Sequence, residues 1–262
     1  MEQSNINTIK PTIRAPSSDE LSIWRYMDFT KFVAILLDRA LFFPRIDQLG
    51  DPFEGAFPTT QPIIQRIQEL LPKSIIPQGA KVAVYDLHKA WESTRRWTYA
   101  SCWHCEECES AAMWRLYAHS NEAIAIRSTV GQLRRVLADP GEPDPGFLRP
   151  RTIHLGMVDY IDFNFGQIPP DFVSRGFRKR KSFKHECELR ALFMELPLNY
   201  HHDMLPDHRG RSIPIEPRDL ITEIYVAPQA SEWYADLVRK IAIRFNIDTP
   251  IKKSALDDSP IY

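Results

Sequence analysis

The densest run of chemically capable residues in the chain is Phe183-Lys184-His185-Glu186-Cys187-Glu188-Leu189-Arg190-Ala191-Leu192-Phe193. Residues two apart on a strand share a face. A strand over Glu186 to Leu196 therefore turns Glu186, Glu188 and Arg190 one way, and Cys187, Leu189 and Ala191 the other way into a core. Two carboxylates on one face raise each other's proton affinity, and an arginine beside them partly offsets that. Such a face is a ready platform in the wall of a cleft. It is also the ordinary outer side of a half-buried strand, where an exposed Glu–Arg pair contributes about 0–1 kcal/mol.

Three further clusters carry chemistry. In Trp24-Arg25-Tyr26 alternation buries the two rings and leaves Arg25 opposite. A guanidinium there is a planar fork for phosphate, or a partner for Asp51 or Glu54 that holds a turn. Trp114 and Tyr117 lie three apart, hence on one helical face, able either to stack on a planar ring or to fill core. The basic run Arg175, Arg178, Lys179, Arg180, Lys181 and Lys184 could meet phosphates or be a solvated surface. The spacing Cys102-x-x-Cys105-x-x-Cys108, with His104 inside it, offers three or four zinc donors. No second knuckle follows, and Cys187 is the only distant thiol, so three reduced thiols and no bound metal are expected.

Composition narrows the classes. The 262 residues hold 33 Lys+Arg against 34 Asp+Glu, a net charge of −1, which excludes a global polycation wrapped on nucleic acid. With 44% hydrophobic and 26% charged residues the profile is that of a globular protein. No apolar run is long enough for a bilayer, and residues 1–16 lack a signal-peptide core, so a cytosolic, membrane-free protein is expected. There are only 10 glycines, and neither GxGxxG nor GxxxxGK[ST] occurs. GxSxG, HExxH and EF-hand loops are also missing.

The elements that must position these groups follow from periodicity. Residues 1–20 read as a flexible tail and 257–262 as a second one, flanking a single α+β domain over 21–256 with a mixed, mostly antiparallel sheet. Strands are expected at Leu21–Met27, Leu41–Phe43, Tyr99–Trp103, Ala123–Arg127, Thr152–Ile161, Glu186–Leu196, Ile221–Val226 and Pro250–Ser254. Helices are expected at Phe29–Arg39 with Asp28 as cap, Glu109–His119, Thr129–Ala138 capped by Ser128 or Thr129, and Ser231–Phe245. Residues 60–98 read as a helical insertion. Asp51-Pro52-Phe53-Glu54-Gly55 is a turn, and 139–150 and 201–211 are loops.

Two resemblances follow from these segments. Trp24-Arg25-Tyr26, Leu41-Phe42-Phe43-Pro44, Asp51-Pro52-Phe53-Glu54-Gly55, Ser101-Cys102-Trp103, Met113-Trp114-Arg115-Leu116-Tyr117-Ala118, Phe183 to Ala191 and Ile224-Tyr225-Val226-Ala227-Pro228 resemble, in order, domain-of-unknown-function family 2971. That likeness spans about residues 21–256 and implies a bacterial protein without an assigned activity. Arg25, Ser101 and Glu186-Cys187-Glu188 also resemble the Arg–Ser–Glu signature of ADP-ribosyltransferases, with Ser101-Cys102-Trp103 replacing that family's Ser-Thr-Ser. The second likeness implies NAD as substrate and an acceptor that is a protein or nucleic acid. Glu188 would stabilise the ribose cation, Glu186 activate the acceptor, and Arg25 hold the pyrophosphate. Tyr26, Trp114, Tyr117 and Arg190 complete the expected cofactor wall. Two alternatives stay open. One is a metal-dependent nuclease-type effector gathering Mg²⁺ on Asp51, Glu54, Glu186 and Glu188; the other is a non-catalytic nucleotide- or nucleic-acid-binding module whose network joins Arg25 to Asp51.

Overall fold

A computed structural model describes residues 12–56, 89, 92–118, 120–141, 145–147, 151–164 and 171–258. Most of the helical insertion expected over 60–98, and parts of both tails, lie outside these residues. In chain order the elements are β1 (Ser22–Asp28), α1 (Phe29–Asp38), β2 (Ala40–Pro44), β3 (Thr98–Cys105), α2 (Ala111–Tyr117), β4 (Ala123–Thr129) and α3 (Val130–Val136). There follow β5 (His154–Met157), β6 (Asp159–Ile161), α4 (Phe172–Arg175), β7 (Arg178–Arg180) and β8 (Glu188–Met194). The chain ends with β9 (Gly210–Pro214), α5 (Pro217–Leu220), β10 (Glu223–Val226), α6 (Glu232–Arg244) and β11 (Ile251–Lys253).

Seven strands form one sheet in the order β11-β10-β4-β1-β3-β8-β5, antiparallel throughout except for the β10–β11 pair. Two small sheets flank it, β2 with β9 and β6 with β7. The architecture is thus α+β with a mixed, mostly antiparallel sheet. Among the described residues no helix is long and apolar enough to cross a membrane.

Local sequence explains the helices. α1 buries Phe32, Ile35 and Leu36 on one stripe, and Arg39 ends it in the left-handed conformation at φ 47°. Asp28 occupies the cap position without a side-chain cap bond and instead faces Lys31 at 3.3 Å. Thr129 caps α3 through Gln132 N–H at 3.2 Å, and Ser110 caps α2 through Met113 N–H. α6 buries Tyr234, Ala235, Val238 and Ala242, a helical stripe against the sheet.

The strand expected from Thr152 to Ile161 is two strands, broken at Val158, whose N–H turns to the Glu188 carbonyl. The polar loop expected to run to Arg211 ends sooner, because Gly210 already begins β9 opposite Pro44. The strand expected to begin at Glu186 begins at Glu188. Lys181–Glu186 is a 3₁₀ turn, and Cys187 is left-handed at φ 42°. β8 is buried on both faces: Leu189, Ala191 and Phe193 join the main core, and Leu192 packs with Ile46, Ala100 and Phe177 in a smaller one. The Glu188/Arg190 face is therefore interior, not a solvent-facing strand surface.

Gly210 marks where β9 lies tight against β2. A Cβ there would stand 2.4 Å from the Phe43 carbonyl oxygen and 2.4 Å from Phe42 Cζ. Backbone cannot yield as a side chain can, so Gly210→Ala is expected to cost about 1–3 kcal/mol in urea denaturation. An unchanged midpoint would contradict the close packing of β2 on β9.

Candidate active site

β1 pairs with β4 along seven residues but with β3 at only two, Ile23 opposite Cys105 and Trp24 opposite His104. Beyond Trp24 the ladder between the two central strands stops, and a cavity of about 560 Å³ opens beside the seam. Arg25, Tyr26 and Met27 of β1 line it, facing Ala100, Cys102 and His104 of β3. Glu186 and Glu188 form another wall. Ala40 and Phe42 of β2, Ser212 of β9 and the Lys31–Asp38 side of α1 cover it. The volume lies within the roughly 300–1,000 Å³ of small-molecule sites.

Arg25 reaches across the opening. Its Nη1 donates to Ser101 Oγ at 2.8 Å and its Nη2 to the Phe42 carbonyl at 3.2 Å, while the guanidinium lies over the Trp103 ring at 5.6 Å. Burial depresses its pKa, opposed only by Cys102, and no carboxylate among the described residues pairs with it. Ser101 is fully buried and also accepts from Trp103 Nε1 at 3.1 Å. The expected alternative partner, Asp51, is held by Arg180 at 2.8 Å instead, and closes its own turn by accepting Phe53 N–H at 3.0 Å. A network joining Arg25 to Asp51 is therefore not what the fold builds. Arg25 is a positive group within a cavity, free to meet an anion.

The carboxylates are the opposite case. Arg190, with no exposed surface, grips Glu188 through Nε at 2.7 Å and Nη2 at 2.9 Å. It also donates to Glu54 at 2.5 Å and to the Gly176 carbonyl at 2.6 Å. Lys179 Nζ stands 2.5 Å from Glu186, 3.3 Å from Glu188 and 3.3 Å from Glu54. Arg190 is thus behind the wall, not on it, and acts on any ligand only through Glu188. The basic run is no solvated or phosphate-facing surface at its core, since Arg175, Arg178 and Lys179 are buried and Arg178 pairs with Asp159 at 2.6 Å.

These surroundings drive the two glutamates apart. Burial alone would raise Glu188, but the charges of Arg190 and Lys179, with hydrogen bonds from Arg190 and Cys102, outweigh it and lower its pKa to about 2. Burial raises Glu186, and Lys179 only partly compensates. One carboxylate is locked ionised while its neighbour holds a proton more readily, the pattern that separates acid–base roles in one site.

The aromatic residues divide. Tyr26 and Tyr117 line the cavity, and Trp114 does not. Trp114 is buried, donates to Glu109 at 2.8 Å and meets Tyr26 edge-on at 5.0 Å, so it buttresses Tyr26 from behind. Strand alternation splits the thiols as well. Cys102 faces the cavity, Cys105 packs toward the opposite core and Cys108 is exposed. Among the described residues no group of three His, Cys, Asp or Glu side chains is disposed to hold a metal ion. Where Glu54, Glu186 and Glu188 converge, the Lys179 ammonium already occupies the centre.

Two groups escaped the sequence reading of this site. Lys179 was visible only as one charge in a run. His104 was visible only as a zinc donor, yet it lines the cavity at 4% exposure, with Nδ1 2.6 Å from the Glu186 carbonyl and Nε2 without a partner among the described residues. A buried ring nitrogen left unpaired costs about 1–3 kcal/mol.

No family model matches the chain, so membership of domain-of-unknown-function family 2971 is not shown. No curated protein matches it either. Among solved structures it is similar to DarT from Thermus sp. 2.9 in complex with NAD+, at 11% identity and a TM-score of 0.36, covering 94% of this chain and 100% of that one. The same protein in complex with ADP-ribosylated single-stranded DNA aligns at 13% identity and 0.35, covering 92% and 96%. Scores this low carry no functional argument. What the site can do must come from its own geometry.

Removing one member of a buried ion network strands the others. Arg190→Leu is expected to lose about 3–5 kcal/mol in chemical denaturation. A loss below about 1 kcal/mol would show that Glu54 and Glu188 do not depend on it.

Proposed function

We propose that the chain is an ADP-ribosyltransferase-like enzyme that cleaves NAD and transfers ADP-ribose to a macromolecule, protein or nucleic acid. The observation that supports it is the pairing, in one cavity, of a guanidinium with no carboxylate partner among the described residues and a carboxylate whose pKa the buried Arg190 and Lys179 lower. Those are the two groups such a reaction needs, one for a pyrophosphate and one for a developing cation.

In this reading Arg25, steadied by Ser101, binds the pyrophosphate. Tyr26 and Tyr117 flank the nicotinamide ring. As the glycosidic C–N bond breaks, its electron pair leaves with neutral nicotinamide and the ribose becomes oxocarbenium-like. Glu188 stabilises that cation and orients a ribose hydroxyl. The acceptor attacks the anomeric carbon, and Glu186 takes its proton. Arg190, Lys179 and Glu54 do not touch substrate; they hold Glu188 ionised and in place.

Labelled NAD tests this directly. Wild-type protein with cell extract is expected to release nicotinamide, and Glu188→Gln, assayed below its own unfolding midpoint, to lower release by about 10²–10³-fold. No release, or equal release from both, ends the reading.

The divergent pKa values add a pH signature. Lowering pH protonates Glu186 first, because its pKa is raised, and reaches Glu188 only near its depressed value of about 2. Transfer to the acceptor is expected to fall off at a higher pH than hydrolysis of NAD to free ADP-ribose does. Acid limbs that coincide would remove the proton-acceptor role from Glu186.

A further inference from the structure

We propose that Asp38, the last residue of α1, takes the hydroxyls of the adenosine ribose and so selects NAD over NADP, its 2′-phosphorylated form. This rests on the NAD reading of the cavity and goes beyond it, since breaking the nicotinamide bond requires nothing at the adenosine end.

The helix aims the residue. Lys31, Ala34, Ile35 and Asp38 stand at i, i+3, i+4 and i+7, one face of α1, and all four line the cavity. Leu37, a residue earlier and on another face, is exposed without lining it. Asp38 is itself exposed, so its carboxylate stands at the rim, where solvent and a ligand both reach it.

Nothing in the fold accounts for an acid at this point. The last turn of a helix carries unpaired carbonyls and the negative end of the dipole, which disfavour a carboxylate. α1 has no basic residue in that turn to offset it. Among the described residues no hydrogen bond or ion pair engages Asp38. The cations nearest in sequence are committed elsewhere, Arg39 to Glu216 and Lys31 to Asp28 at 3.3 Å.

Its position says which part of the ligand arrives there. The glutamates and the two tyrosines take the nicotinamide end, and Arg25, which holds the pyrophosphate, donates to the Phe42 carbonyl. Asp38 lies four residues before Phe42, within at most about 14 Å of chain, and Ala40 between them lines the cavity too. The α1–β2 cover is therefore the side left for adenosine. Vicinal hydroxyls give a carboxylate two charge-assisted hydrogen bonds, the chemistry by which an acid reads the ribose in dinucleotide-binding sheets. A 2′-phosphate removes one donor and sets like charges against each other.

Calorimetric titration at pH 8 with NAD and NADP tests the assignment on wild type, Asp38→Asn and Asp38→Lys. Wild type is expected to favour NAD by about 10–100-fold. Asp38→Asn should bring that ratio below about threefold, chiefly by tightening NADP, and Asp38→Lys should invert it. Since the lost charge is one the helix disfavours, neither variant should unfold at lower urea than wild type. A ratio unchanged in Asp38→Asn, whatever its urea midpoint, would place the discrimination elsewhere in the cavity and overturn the proposal. A wild type that binds both ligands equally overturns it too, leaving the NAD reading intact. A wild type that binds neither removes that reading, and this assignment with it.

Discussion

Everything in the site depends on the burial of five charged side chains in mutual contact. Glu54, Glu186 and Glu188 face Lys179 and Arg190 with almost no exposed surface. Taking such groups out of water costs several kcal/mol each, and mutual attraction offsets that only when every member is present and well placed. The five come from the turn at 51–56, β7, the 3₁₀ turn before Cys187, and β8. A network so assembled exists only when these segments have docked. It fixes the carboxylates before any ligand arrives, and that is the condition under which a charge can stabilise a reacting centre without reorganising.

The cavity follows from a different constraint. Most arginines of the fold meet a carboxylate, as Arg127 does with Glu223, Arg151 with Glu195 and Arg180 with Asp51. Arg25 instead finds a hydroxyl and a carbonyl, and its strand lets go of β3 one residue earlier. The interrupted ladder and the unneutralised guanidinium are one feature. The gap holds the side chain, and the side chain gives the gap its charge.

Much of this was legible in the sequence, and the limits have physical causes. α1, α6, the Asp51 turn and the order of the main strands along the chain follow from periodicity and turn chemistry, which are local. Arg25, Glu186 and Glu188 could be singled out by type and spacing, and Ser101 by the resemblance to ADP-ribosyltransferases, though not their burial. Whether a Glu-x-Glu-x-Arg face meets water depends on what covers it, and the cover here is the neighbouring β7 together with the turn at 51–56, which is far away in the chain. Lys179 also reaches Glu54 and Arg180 pairs with Asp51, both far back in the chain, so part of a run of charge that reads as surface supplies counter-ions to buried acids. β9 was hidden because Gly210 and Pro214 bound it with residues that ordinarily mark loops.

One local detail shapes the chemistry more than any element boundary. In a continuous strand Glu186 and Glu188 would sit on one face in like surroundings and compete for one proton. Cys187 takes a left-handed conformation instead, a strain of about 1–3 kcal/mol for a non-glycine residue. The kink puts Glu186 at the end of a 3₁₀ turn, where it reaches only Lys179 among the described cations, while Glu188 stays in the strand two residues from Arg190 and gains its bidentate grip. The same kink presents the Glu186 carbonyl to His104 and the Cys187 carbonyl to the Cys105 N–H at 2.9 Å, which fasten the turn to β3. Two carboxylates of identical type thereby acquire opposite proton affinities from a single backbone dihedral. That asymmetry lets one of them oppose a cation while the other accepts a proton.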